Sequence, residues 1–161
     1  MAETSYTIYV PDHDAPKSDD TIDCTVIGSI HTPYKRMKDC PSRHNKNERL
    51  PGAIRLVPDY APGLAGFKAG DHALVLYWLH LARRDMAQLP ARKGVRDKPV
   101  GVFTLRTPPR SNPIAAAVVE ILAVRDGELE VLGLDCLDGT PLLDIKNARF
   151  YEGSSSAGGL S

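Results

Sequence analysis

The chain holds 161 residues, 42% of them hydrophobic, with 20 basic and 20 acidic side chains and three cysteines. That is one domain of ordinary size, able to bury about two-thirds of its unfolded surface. No run approaches the ~20 apolar residues of a membrane span, and Met1-Ala2-Glu3-Thr4-Ser5 has neither the basic nor the apolar region of a signal peptide, so a soluble, cytoplasmic protein is expected. Cys24, Cys40 and Cys136 are odd in number and form no C-x-x-C pair, which argues against a disulfide framework and a thiolate metal site.

The neutral total conceals an uneven spread. Residues 1–23 carry a net charge of −5, residues 24–50 carry +4, residues 81–110 carry +6 and residues 111–161 carry −5. Two basic segments could converge on a polyanion, or stay apart as solvated loop lysines and arginines. Composition by itself does not select a nucleic-acid binder.

Residues 1–23 read as a polar, acidic arm with one short strand candidate, Tyr6 to Val10. Residues 153–161 form a Gly/Ser tail with nothing to bury, leaving residues 24–152 as the folded body. Within the body the dominant period is two. Strands are expected at Thr25–Ile30, Ala53–Val57 and Val100–Leu105, with Pro33, Pro58 and Pro108 as stops. Ala73–Leu81 has the length of a helix, but its Val, Tyr and Trp, apolar on both faces, favour a buried strand. Tyr60 to Lys68 is expected to be helical for about two turns. The apolar run Ala117–Val124, the Asp126-Gly127 pair and the alternating Leu129–Leu134 predict a β-hairpin. A last strand, Leu142–Lys146, follows the Asp138-Gly139-Thr140-Pro141 turn. Short strands joined by turns predict an all-β fold, a single-sheet antiparallel β-barrel with one or two short helices.

Several chemistries lack their motifs. There is no G-x-G-x-x-G, no G-x-x-x-x-G-K-[ST], no G-x-S-x-G and no H-E-x-x-H. The histidines at 13, 31, 44, 72 and 80 are not spaced as ligands, and no metal is expected. On one strand His72 and His80 would face the same side about 27 Å apart, too far for one ion. Two polar turns stand out instead. In Arg106-Thr107-Pro108-Pro109-Arg110-Ser111-Asn112-Pro113, three prolines restrict the chain around two arginines. Such a loop either holds guanidiniums ready for an anion or merely blocks edge pairing. Asp135 to Lys146 contains three carboxylates around a tight Asp-Gly turn. These either close the turn on its own backbone or present polar groups to a ligand.

Three runs occur in order: Ile27-Gly28-Ser29-Ile30-His31-Thr32-Pro33-Tyr34-Lys35; Gly101-Val102-Phe103 followed by Arg106, Pro108, Arg110 and Asn112-Pro113-Ile114; and Asp135-x-Leu137-Asp138-Gly139-Thr140-Pro141-Leu142-Leu143-Asp144-Ile145-Lys146. Together they resemble the YaeB-like (TsaA-like, TrmO) family of S-adenosylmethionine-dependent tRNA methyltransferases, over about Thr25 to Lys146. The resemblance implies a homodimeric β-barrel that binds S-adenosylmethionine and methylates N6 of threonylcarbamoyl-adenosine next to the anticodon of threonine tRNA. It also implies that the chain lacks the extra C-terminal domain of longer members. By the same resemblance, the cofactor contacts fall on Pro41 and Arg43, on Asp71 and His72, on Arg106, on Ala116, and on the Leu137-Asp138-Gly139-Thr140 turn. The chain departs from the family pattern in Arg110-Ser111-Asn112-Pro113-Ile114-Ala115-Ala116-Ala117, where the family has Arg-Pro-Asn-Pro-Ile-Gly-Leu-Ser. It departs again in Asn147-Ala148, where the family has Pro-Tyr.

Methyl transfer from a sulfonium is an in-line displacement on an activated methyl group, so the protein's task is alignment and desolvation. On this reading Asp138 to Thr140 hold the cofactor through backbone groups, with Arg106 and His72 lining the same pocket. His72 is equally readable as a satisfied barrel histidine. Arg110 and Asn112 suit the substrate side, a guanidinium fork for phosphate and an amide for a base edge. Tyr34 and Tyr77 either stack on a base or sit in the core. No general base is identifiable, and Asp144 reads as a base or as a strand-end carboxylate. The competing functions are an S-adenosylmethionine-binding module without tRNA methylation, and a small-molecule methyltransferase.

Overall fold

The computed structural model describes residues 21–41, 48–106 and 108–148. The acidic arm's strand candidate, Arg43 and the Gly/Ser tail lie outside them. The strands are β1 (Gly28–His31), β2 (Gly52–Leu56), β3 (His72–Trp78), β4 (Gln88–Leu89), β5 (Val100–Gly101), β6 (Ile114–Arg125), β7 (Glu128–Leu132) and β8 (Thr140–Asn147). Six of them close an antiparallel barrel in the order β1-β2-β7-β6-β3-β8, and β4 and β5 form a separate two-stranded pair. Closure leaves no barrel edge unpaired.

The period-two pattern becomes an inside and an outside. Along β3, Ala73, Val75 and Tyr77 are buried, whereas His72, Leu74, Leu76 and Trp78 are only half-buried on the outer face. The interior is filled by Ile30, Ile54, Val75, Val119, Ile121, Leu129, Val131, Leu134 and Leu142, each at most 1% exposed. Each such side chain contributes about 1.5–3 kcal/mol of burial. The predicted hairpin is β6–β7, joined through Asp126-Gly127. β6 is long because it serves two neighbours: Ile114–Glu120 pair with β3, and Glu120–Arg125 pair with β7. A register shift between Ile121 and Ala123 marks the change.

Some local expectations give way. Val100–Leu105 is a strand only at Val100–Gly101 and then turns into a 3-10 segment, Val102–Thr104. The Thr104 hydroxyl donates to Gly101 O at 2.8 Å, which ties off that turn. The helix expected at Tyr60 to Lys68 is a 3-10 segment, Pro58–Leu64, because Pro62 inside it removes a backbone donor. A third 3-10 segment, Met37–Asp39, has no counterpart among the expected elements. β3 stops at Trp78, so His80 lies in the following turn and not on one strand with His72. No helix among the described residues is long and apolar enough to cross a membrane.

The strand ends then decide what can meet. His31 pairs with Ala53, Trp78 with Ile114, and Ile30 with Thr140. The connections 32–51, 79–113 and 133–139 therefore all open at one rim of the barrel.

Candidate functional site

At that rim the β7–β8 turn is fastened to the segment leaving β1. Asp138 N–H donates to Tyr34 O at 2.9 Å, Gly139 N–H to Ile30 O at 2.8 Å, and Thr140 N–H to Leu137 O at 3.3 Å. The Thr140 hydroxyl, 2% exposed at the residue level, donates to Leu137 O at 2.7 Å. Thr32 is the buried counterpart. Its hydroxyl donates to Cys136 O at 2.9 Å and accepts the Tyr34 N–H at 3.3 Å. Gly139 supplies the positive φ of 77° that the reversal requires.

Asp138 organises the outer side of this knot. Its Oδ1 accepts the Thr32 N–H at 3.1 Å and lies 3.5 Å from His31 Nδ1, while its Oδ2 meets Lys35 Nζ at 2.5 Å. The hydrogen bond from the Lys35 ammonium holds this carboxyl below its usual range, with further help from the Thr32 N–H. Burial pushes the neighbouring Cys136 thiol up to about 12, so it is an inert, protonated wall.

The turn presents acceptors. The backbone N–H groups of Asp138, Gly139 and Thr140 are all spent inside the chain. A ligand at this turn would therefore meet backbone carbonyl oxygen rather than these three N–H groups, beside the Asp138 carboxylate. Such a surface suits an ammonium or an adenine amino group.

The other expected residues distribute as follows. Pro41 sits half-buried just after the Met37–Asp39 turn, in the connection that Tyr34 anchors. Tyr34 is 4% exposed, and its hydroxyl donates to Glu48 O at 3.2 Å and accepts the Leu50 N–H at 2.8 Å. Its ring is part of the wall and is not offered for stacking. Tyr77 is likewise core, its hydroxyl donating to Asp135 Oδ1 at 2.5 Å. Arg106 and Asn112 are both exposed in the connection 79–113. Arg110 turns its guanidinium onto its own backbone, donating to Val102 O at 2.9 Å and to Leu105 O. It braces the loop with part of its fork. Arg84 stacks over Trp78 at 5.3 Å and donates to Ser111 O at 2.9 Å, bracing the same loop from the barrel side.

Asp71 and His72 lie elsewhere. Asp71 Oδ2 accepts the Lys68 N–H at 3.0 Å, closing the turn into β3. His72 O accepts the Ala148 N–H at 3.0 Å, at the far end of β8. The residues from Thr140 to Ala148 run the length of that strand, so His72 is about 25 Å from the Asp138 turn. Within one chain they do not line one pocket, because a strand of this length separates the two rims. Ala116 is on the outer face of β6 opposite Leu76, between the two. Beside it, an apolar depression of about 500 Å³ runs between Leu76, Ile114, Leu143 and Tyr60. Asp144 pairs with Lys146 at 2.6 Å and accepts the Ile145 N–H at 2.8 Å, as a strand carboxylate would.

Residue type alone does not single out Ser29, His31, Thr32 and Lys35 as a polar cluster. Their signal is the Ile27–Lys35 run itself, whose alternate residues Ser29 and His31 share the outer face of β1.

Residues 29–151 match the tRNA-methyltransferase O N-terminal domain family. A probable S-adenosyl-L-methionine-binding protein of Methanothermobacter thermautotrophicus is 39% identical over 142 residues, covering 88% of this chain and 98% of the relative. The probable S-adenosyl-L-methionine-binding protein VirR of Rhizobium radiobacter is 40% identical over 124 residues, 76% of this chain and 69% of VirR. Among solved structures, a TrmO crystal structure superposes with a TM-score of 0.69 at 27% identity, over 88% of this chain. TrmO from Pseudomonas aeruginosa gives 0.67 at 25% identity over 87% of this chain. This chain spans 64% and 61% of the length of those two TrmO chains. The closed barrel, the order of its motifs and these likenesses agree: the chain belongs to the tRNA-methyltransferase O N-terminal domain family.

Proposed function

We propose that the chain binds S-adenosylmethionine and transfers its methyl group to N6 of threonylcarbamoyl-adenosine, next to the anticodon of threonine tRNA, in the cytoplasm. The observation that carries this reading is the polar turn Leu137–Thr140 with its Asp138 carboxylate, fixed at the same rim as the basic connection 79–113. The turn's carbonyls and the Asp138 carboxylate suit the ammonium and adenine amino groups of the cofactor. The basic connection suits an RNA backbone. S-adenosylmethionine supplies an activated methyl group, and the chain's residues bind it, orient the acceptor and exclude water.

A homodimer belongs to the same proposal. His72 and Asp71 are a strand length from the Asp138 turn, so a second copy is the simplest way to bring both sets of expected contacts to one ligand. The outer face of β3 and β6 suits such a partner: Leu76 and Trp78 stand beside Ile114, 41% exposed, and Val118, 43% exposed.

The second reading, cofactor binding without tRNA methylation, is favoured by the relatives whose names state binding alone. Radiolabelled methyl transfer separates the readings. Label in threonine tRNA that carries the threonylcarbamoyl group, and none in unmodified tRNA, is the expected result. Cofactor binding with no transfer to any tRNA supports the module, and turnover without RNA supports a small-molecule acceptor.

A further inference from the structure

A polar cluster runs along the outer face of β1 into the candidate site. Ser29 Oγ lies 2.9 Å from His31 Nε2. On the other side of the ring, His31 Nδ1 faces Asp138 Oδ1 at 3.5 Å. The carboxylate favours a proton on Nδ1, which leaves Nε2 as the acceptor and the Ser29 hydroxyl as the donor. Asp138 is itself held from two sides, by the Thr32 N–H and by Lys35. The imidazole is about one-third exposed, so it is reachable from solvent. Ser29 stands between Arg55 of β2 and Pro141 of β8, and Pro141 immediately follows Thr140 of the candidate turn.

We propose that Ser29, His31 and Asp138 form a proton relay that takes the proton from the methyl-accepting nitrogen. This rests on the methyl-transfer reading above. The acceptor is a carbamoylated N–H, whose nitrogen gains positive charge as it is alkylated and must give up its proton. As the nitrogen displaces the sulfur, an N–C bond forms and the C–S bond breaks. The N–H proton passes to Ser29 Oγ, the serine's own proton passes to His31 Nε2, and the sulfonium leaves as a neutral thioether. The imidazolium sits against Asp138 until it returns the proton to solvent. Ser29 would be the catalytic residue that touches the acceptor, and Asp138 the positioning residue that sets the tautomer.

The charges facing His31 come from every neighbouring element. They are Arg55 of β2, Glu128 and Glu130 of β7, Arg125 at the end of β6, Lys35 of the β1 exit and Asp138 of the turn. The two arginines pair with the two glutamates, so Asp138 is the carboxylate aimed at the ring.

The test uses the full chain, S-adenosylmethionine and tRNA carrying threonylcarbamoyl-adenosine. Calorimetry measures cofactor affinity, and single-turnover methyl transfer is followed from pH 5 to 9, about the window in which imidazoles titrate. The variants are His31→Gln, Ser29→Ala and Ser29→Thr, with Asp59→Asn, exposed in the Pro58–Leu64 segment beyond the opposite rim, as an outside control. For His31→Gln the expected result is a rate loss of about 10²–10⁴-fold, loss of the acid limb of the pH–rate profile, and cofactor affinity within about twofold of wild type. Ser29→Thr should recover most of what Ser29→Ala loses, and Asp59→Asn should keep both rate and limb. A His31→Gln protein that transfers at the wild-type rate, or slowly with the acid limb intact, or that loses the cofactor, overturns the relay. Should that variant not fold, equal rates for Ser29→Ala and Ser29→Thr overturn it. An active wild type with these outcomes sinks the relay alone; a wild type that binds the cofactor and methylates nothing sinks the methyl-transfer reading and the relay together.

Discussion

Gly28→Ala probes how tightly the barrel is closed. Gly28 is buried where β1 joins both neighbours, opposite Leu56 of β2 and Leu142 of β8. A Cβ added there would stand 2.2 Å from Arg55 O and 3.0 Å from Leu56 Cα. A carbon against a carbonyl oxygen needs about 3.3 Å, so β1 and β2 must part by about 1 Å. Both obstacles are backbone atoms inside the ladder, and no rotamer change relieves them. Overpacking costs about 1–3 kcal/mol, and a rigid obstacle puts this case at the upper end, about 3 kcal/mol. For a chain of this size that corresponds to a fall in Tm of about 6–12 °C. The assay is thermal unfolding followed by far-UV circular dichroism, with Gly63→Ala as the comparison. Gly63 has no heavy atom within 4 Å of its added Cβ, so its Tm should stay within about 3 °C of wild type. A Gly28→Ala protein that melts as high as Gly63→Ala would refute the β1–β2 register.

Thr32→Val should cost about 2 kcal/mol, measured as a lower urea midpoint, because it strands the Tyr34 N–H and Cys136 O in a buried setting. Thr32→Ser should recover most of that loss, and equal midpoints for Val and Ser would contradict the geometry. Asp138 is held below the usual carboxylate range by Lys35, so its contribution is present above the ordinary carboxylate pKa and is lost as the pH falls through the lowered folded value. The Tm gap between wild type and Lys35→Ala should therefore be present near pH 6 and close as the pH falls below the ordinary carboxylate range; a gap that persists once the carboxyl is protonated would count against the pair. If the basic connection tracks RNA, replacing exposed Arg92 and Lys93 by Gln should reduce the salt slope of tRNA binding by about one for each phosphate left without its cation. An unchanged slope would place the RNA elsewhere.

The barrel strands were legible because a half-buried strand writes itself as alternation. Ala73, Val75 and Tyr77 point inward whichever partner they meet, and Asp126-Gly127 between two apolar runs allows little besides a hairpin. Val100–Leu105 misled for the same reason reversed. Its side chains suit a strand, but most of the segment finds no ladder partner and curls into a 3-10 turn. A side chain's propensity records a preference for a pleated surface, and only neighbours provide that surface.

The candidate site divides along the same line. The run Asp138-Gly139-Thr140 announced a tight turn, and the order of motifs announced the family. The sequence could not say that the turn's N–H groups are consumed by Tyr34 O, Ile30 O and Leu137 O, that Arg110 folds onto its own loop, or that His72 ends a strand length from Asp138. Local chemistry, alternation and turn type reside in neighbouring residues and survive in a linear string. Which donors remain unspent, and which distant residues share a rim, depends on barrel closure and strand register, which place Ser29, His31 and Asp138 together across roughly a hundred residues of chain.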